Sequence, residues 1–299
     1  MAELDTTSIT SADIDNYINA NDDFAFELEV RNLCFTGERV EFGGTYIDPV
    51  TGKTRQFDIR AYWRRQTRVL QMAIECKRLQ PYAPLVMSRV PRRSQESFHE
   101  LIYCYERSFQ TLRIKECRYE SVKLVGKTNM QLRREMTARD KGKPTKFEFK
   151  SDDKAVFEKW EQALCSADEL VRTAPDFVRT VGDVFVMVLP VVVIPDGTLW
   201  VVDYHERKGH MERQKPQPVD HASFYVAKDY GTLAGPTPRY CISHLEFFTF
   251  SAFRDFTRLL SNYQDQCEPF FRNTLFPLPQ IENQISMADF VRRSAELAP

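Results

Sequence analysis

Gln56-Phe57-Asp58-Ile59-Arg60-Ala61 and Met72-Ala73-Ile74-Glu75-Cys76-Lys77 are the two stretches that decide how this chain is read. Apolar and polar residues alternate in each, the period-2 pattern of a β-strand with one dry and one wet face. Phe57, Ile59 and Ala61 fall on one side of the first strand, and Gln56, Asp58 and Arg60 on the other. Met72, Ile74 and Cys76 share one side of the second, with Glu75 and Lys77 opposite. Pairing the two strands brings Asp58, Glu75 and Lys77 onto one polar patch. Two carboxylates are hard oxygen ligands suited to Mg²⁺, and a neighbouring ammonium can steady a phosphate or an activated water.

Asp58, sixteen intervening residues, then Glu75-Cys76-Lys77 resembles the signature of the PD-(D/E)XK nuclease superfamily, with Phe57 standing where the family name has proline. The pattern is short, and it gains its meaning from a context of helix, strand, turn and strand. The likeness covers about the first 80 residues and continues more weakly into a later helix and strand. It implies an α/β protein with a restriction-endonuclease-like αβββαβ core: a mixed central sheet flanked by helices, with a basic insertion and C-terminal elaborations. It further implies Asp58, Glu75 and Lys77 as catalytic residues. Mg²⁺ or Mn²⁺ would sit at Asp58 and Glu75, joined by Glu27 and the carbonyl of residue 76. The partner implied is nucleic acid, with DNA favoured, and the activity that of an endonuclease of the bacterial restriction or defence kind. A homodimer or a larger defence complex is the implied assembly. The alternative is a non-catalytic nucleic-acid-binding or assembly module that keeps the fold.

Upstream of the two strands, residues 22–35 have a helical period. Phe24, Phe26, Leu28, Val30, Leu33 and Cys34 form a broad apolar arc. Glu27 lies near the middle of that arc, where a carboxylate is costly unless it meets a cation or reaches water past a split arc. Within the resemblance it matches a glutamate of the first helix that joins the metal site, and Glu29, at the arc's edge, is a weaker candidate. Residues 40–47 read as a strand and 48–53 as a Pro/Gly turn. Arg64, Arg65 and Arg68 lie between the two decisive strands and are the expected contacts to a phosphate backbone.

Charge is uneven along the 299 residues. Positions 53–150 hold 24 Lys+Arg against 10 Asp+Glu, although the whole chain carries a net charge of only −1. A basic middle third points to a surface for a polyanion. Within it, about 81–150 is expected to be an insertion, with a helix over 94–110 and a basic arm or loop over 131–146. Residues 1–20 read as a flexible lead-in and 21–299 as one elaborated domain.

After the insertion, residues 153–172 carry a clear helical stripe of Val156, Trp160, Ala163, Leu164, Ala167, Leu170 and Val171. Gln162, on the polar side of that helix, is a candidate through its loose match to a glutamine near the scissile phosphate in some relatives. The apolar run 185–194 predicts a buried strand, followed by a turn at 195–197 and strands over 199–204, 224–227 and 240–250. Helices are expected over 251–263 and 287–297.

The polar, acidic start has no leader pattern, and the longest apolar run, 184–194, is too short to span a bilayer. Seven cysteines without a CxxC pair fit a reducing compartment, so the expected location is the cytoplasm, away from membranes. Gly126-Lys127-Thr128 lacks the earlier glycine of a phosphate loop, because position 121 is Ser121. His205, Glu206 and His210 have neither helical nor HExxH spacing and read as a solvated turn. Phe247, Phe248, Phe250, Phe253 and Phe256 read as core.

Overall fold

The apolar run of the second half of the chain lies at the middle of the molecule because it has no polar side to offer. Val186, Leu189, Val191, Val192, Val193 and Ile194 are all buried, as expected for a strand covered on both faces. The structure, a computed structural model, describes residues 7–21, 23–48, 51–65, 68–93, 98–104, 111–118, 124–136, 147–152, 154–181, 184–230 and 240–262.

In chain order the elements open with helices α1 (Ser11–Asn21) and α2 (Phe24–Cys34). Strands β1 (Arg39–Phe42), β2 (Thr45–Ile47), β3 (Thr54–Gln56), β4 (Ile59–Arg65) and β5 (Arg68–Cys76) follow. Next come β6 (Leu85–Pro91), β7 (Phe98–Cys104), β8 (Thr111–Arg118), β9 (Leu124–Met136) and β10 (Phe147–Asp152). Helix α3 (Lys154–Val181) leads to β11 (Val184–Ile194), β12 (Leu199–Arg207), β13 (His210–Arg213) and β14 (Gln217–Pro218). The last elements are β15 (His221–Tyr230), β16 (Tyr240–Thr249) and α4 (Phe250–Asn262).

The fold is α/β. A mixed sheet runs β1-β4-β5-β11-β16-β15-β9-β6-β12-β13, with β7, β8, β10 and β14 attached to it, while β2 and β3 form a separate hairpin. β4 and β5 are antiparallel, and β11 is parallel to both β5 and β16. Helices cover both faces. On one, Phe26 and Val30 of α2 and Phe253, Phe256 and Leu260 of α4 pack on Ile59, Ala61, Leu70, Met72, Ile74 and Val191. On the other, Leu164, Ala167, Leu170 and Val171 of α3 pack on Tyr62, Val69, Ala73 and Val188. Among the described residues no helix is long and apolar enough to cross a membrane.

Five expectations change. The polar side of the β4–β5 pair is not wet: α3 lies over it, and Arg60 is buried. Residues 98–104 form strand β7 rather than a helix, because antiparallel pairing to β11 and β8 overrides a spacing that fits either period. The expected basic arm opens inside a paired strand, since residues 131–136 belong to β9 and pair with 147–152 of β10; residues 137–146 lie outside the described residues. Residues 11–21 are helical rather than a loose lead-in. Their start is a reciprocal cap in which the Thr10 amide donates to Asp13 at 2.8 Å and the Asp13 amide donates back to Thr10 Oγ1 at 3.3 Å. The strand expected over 40–47 is also broken at Gly43, whose φ of 64° sends β1 and β2 into different sheets. The helix expected over 287–297 lies outside the described residues.

Two signals set aside in the sequence have structural explanations. Gly126 sits in β9 where a Cβ would collide with Met87 and Phe224, so this glycine is a packing position. His205 and His210 flank the exposed β12–β13 hairpin, turned by Lys208 and Gly209 with φ of 52° and 79°, as a tight two-residue turn requires.

Candidate functional site

Asp58 is the last residue before β4, and Glu75 is the penultimate residue of β5. The ladder pairs Ile59 with Ile74, so register alone makes the two acids neighbours at one end of the hairpin. Asp58 is fixed there by its backbone: its carbonyl accepts the Gly43 amide at 2.9 Å, and its own amide approaches Glu75 Oε1 at 3.4 Å. Its side chain reaches the end of β5, where Oδ2 accepts the Cys76 amide at 2.8 Å. Glu75 faces α3 and is fully buried.

The cation between these carboxylates comes from α3. Lys159 Nζ lies 2.7 Å from Asp58 Oδ2 and 3.2 Å from Glu75 Oε2. Side-chain exposures of 18% for Lys159, 11% for Asp58 and 1% for Glu75 show that the cluster opens outward through the first two. Burial, and then the adjacent Asp58 charge, hold the Glu75 carboxyl well above the usual carboxylate range. Burial works against the Lys159 ammonium, but Glu75 and Asp58 more than offset it and its pKa is raised.

A second set of bonds keeps α3 in place. Arg60, two residues past Asp58, donates through Nε to Ser166 Oγ at 3.0 Å and through Nη2 to Glu169 at 2.6 Å. Its guanidinium also lies over the Phe57 ring at 4.1 Å. Tyr46 donates to the Gln162 carbonyl at 3.4 Å and packs with Phe57 and Cys165. Ser166 follows Lys159 by seven residues, two helical turns, so anchoring the one fixes the other on the same face.

Of the residues expected at the site, the structure brings Asp58 and Glu75 together and turns Lys77 away. Lys77 Nζ pairs with Asp23 at 2.8 Å, and Asp23 also accepts the Arg78 amide at 3.1 Å. The strand ends at Cys76, so the alternation that put Glu75 and Lys77 on one face does not extend to Lys77. Glu27, one turn into α2, is half-buried and near enough to Cys76 to contribute, after burial, Asp58 and Glu75, to raising that thiol's pKa. Glu29 is exposed. Gln162 is half-buried beside the cluster and takes part through its backbone carbonyl. Arg64, Arg65 and Arg68 lie at the opposite end of the hairpin, where Arg65 pairs with Arg68 six rungs from Ile59. At 3.3 Å per residue that is about 20 Å from the carboxylates. Arg64 is half-buried, and the side chains of Arg65 and Arg68 lie outside the described set.

Lys159 escaped the sequence reading, yet its signal was present. It sits three residues after Val156 and four before Ala163, on the same buried stripe, where an ammonium is costly without an anion.

The donor set fits a small hard cation. Asp58 and Glu75 already share one positive charge, and Mg²⁺ commonly binds through one or two carboxylates with water and substrate phosphate completing its shell. Among the described residues no group of three or more His, Cys, Asp or Glu side chains is placed to hold a metal. No known family model matches the chain, and no curated protein or solved structure is significantly similar to it.

Proposed function

We propose that this chain is a metal-dependent nuclease that hydrolyses phosphodiester bonds, with DNA as its substrate, built on a restriction-endonuclease-like arrangement. The observation that carries the reading is the convergence of Asp58 and Glu75, from neighbouring strands, on one shared cation. The order of elements is also compatible: α2, then the β4–β5 hairpin, then α3, then β11 parallel to β5. Strands β6–β10, which lie between β5 and α3 in the chain, would be the insertion into that core.

Asp58 and Glu75 would hold Mg²⁺ or Mn²⁺, which when bound lowers the pKa of water and stabilises charge on phosphate oxygens. Lys159, rather than Lys77, would supply the ammonium that offsets negative charge developing on the phosphate. Asp58 keeps its orientation through the Cys76 amide, and Arg60 keeps α3 seated so that Lys159 remains in reach. Arg64, Arg65 and Arg68 would contact phosphates about 20 Å along the same polymer, within the span of a short duplex.

The test is incubation of the purified protein with closed circular and linear DNA, with Mg²⁺ or Mn²⁺ and with a chelator. Divalent-dependent cutting that disappears in Asp58→Asn and Glu75→Gln is expected, and nicking of closed circles would mark endonuclease action. Cutting that survives both substitutions would overturn the site assignment.

One observation favours a second reading, a non-catalytic nucleic-acid-binding or assembly module retaining the fold. Lys159 gives the carboxylates an internal counter-charge, as a purely structural ion cluster would. Binding of DNA without any divalent dependence or cleavage would select it.

A further inference from the structure

We propose that Lys159 couples divalent-ion binding at Asp58 and Glu75 to the arrival of a phosphodiester, by holding the carboxylate pair until a phosphate takes its ammonium over. This rests on the nuclease reading and adds a regulation of the same site.

The ammonium touches Asp58 Oδ2 and Glu75 Oε2, one oxygen of each carboxylate that would hold the ion. An ammonium and a divalent ion held on the same two carboxylates would repel, the more strongly where solvent screening is weak. Metal entry is therefore an exchange. Lysine suits an exchange: its charge is compact and its four-carbon stem rotates, so Nζ can leave while the helix stays. The helix does stay, since Arg60 bonds it at Ser166 and Glu169.

The displaced ammonium needs another anion, and Lys77 and Arg60 already occupy Asp23 and Glu169. A substrate phosphate beside the carboxylates supplies one. Metal and phosphodiester then each strengthen the other's binding, and the coupling is reciprocal by linkage. Without substrate, the ammonium stays on the pair and the site is weak for metal.

The experiment measures Mn²⁺ affinity calorimetrically at about pH 8.5, where protons compete least. It uses the full chain, with and without a phosphorothioate oligonucleotide that resists cleavage. The wild type should bind Mn²⁺ weakly alone and roughly 5- to 150-fold more tightly with the oligonucleotide. Lys159→Met should bind Mn²⁺ alone more tightly than the wild type, with a smaller gain from the oligonucleotide. Lys159→Gln, which keeps an amide donor for the carboxylates, serves if the Met variant does not fold. Equal wild-type affinities with and without oligonucleotide overturn the coupling, as does a Lys159 variant that binds Mn²⁺ no better alone. If the wild type also cuts DNA, those results leave the nuclease reading standing. Absence of Asp58-dependent Mn²⁺ binding in every arm, together with absence of cutting, removes both.

Discussion

Asp58 Oδ2 accepts the backbone amide of Cys76 at 2.8 Å, so the acid that opens one strand is bonded to the residue that closes the next. This bond makes the site part of the hairpin's architecture. It satisfies an amide at the end of β5 and aims the carboxylate at the same ammonium that meets Glu75.

Removing that acceptor separates folding from chemistry. Asp58→Ala leaves the Cys76 amide and Lys159 each short of a partner and should cost about 1–3 kcal/mol in urea unfolding. Asp58→Asn keeps an oxygen for the amide and should recover much of that loss. Neither should support divalent-dependent cleavage. If Asn is as destabilised as Ala, the Cys76 bond is not what Asp58 contributes to stability.

The two lysines make opposite predictions. Lys159→Ala should lower turnover by about 10²–10³-fold, the scale for losing one stabilising group beside a developing charge. Lys77→Ala removes only a partly exposed pair with Asp23 and should cost up to about 1 kcal/mol of stability. Its turnover should fall less than about tenfold. Single-turnover rates on one DNA substrate decide the matter, and a larger loss at Lys77 would return the catalytic ammonium to that position.

The contrast shows what the sequence could carry. Period-2 alternation and local register were enough to pair Asp58 with Glu75, because both residues lie on one hairpin. The same alternation misplaced Lys77, one residue beyond the last rung, where the Asp23 pair takes over. Lys159 is 84 residues from Glu75, and no local period joins them. Only the packing of α3 on β4 and β5 does so, and the hint was a lysine on an apolar stripe. β7 was lost for a related reason: Phe98, Leu101 and Ile102 satisfy a helical spacing, and the partner strands that decide the matter are distant or follow later. The buried strand β11 and helix α4 were legible because composition and period agreed there.

Glu75 gives the stability curve a direction. Its folded pKa lies well above its ordinary value of 4.5, through burial first and Asp58 second. A group shifted upward stabilises the fold fully below its unfolded pKa and loses that contribution as pH rises through the folded value. The wild type should therefore lose stability relative to Glu75→Gln as pH climbs from about 4.5. Urea midpoints of the two proteins across that range test the sign, and a difference that grows in the wild type's favour would contradict it.

Arg60 is where the scaffold and the site depend most on one side chain. It is buried, it bonds Ser166 Oγ and Glu169, and it stacks over Phe57. Arg60→Ala leaves Glu169 and Ser166 without that donor and opens a gap between β4 and α3. The loss should be about 3 kcal/mol, near the lower end for breaking a buried pair, because Glu169 keeps 24% exposure and can be hydrated. Arg60→Lys should recover little, since one ammonium cannot serve both helix partners and lie flat on the ring. With α3 loosened, Lys159 should lose its register over the carboxylates, so turnover should fall at temperatures where the variant is still folded. A variant with wild-type turnover under those conditions would show that Lys159 is positioned by the rest of the α3 packing, without help from Arg60.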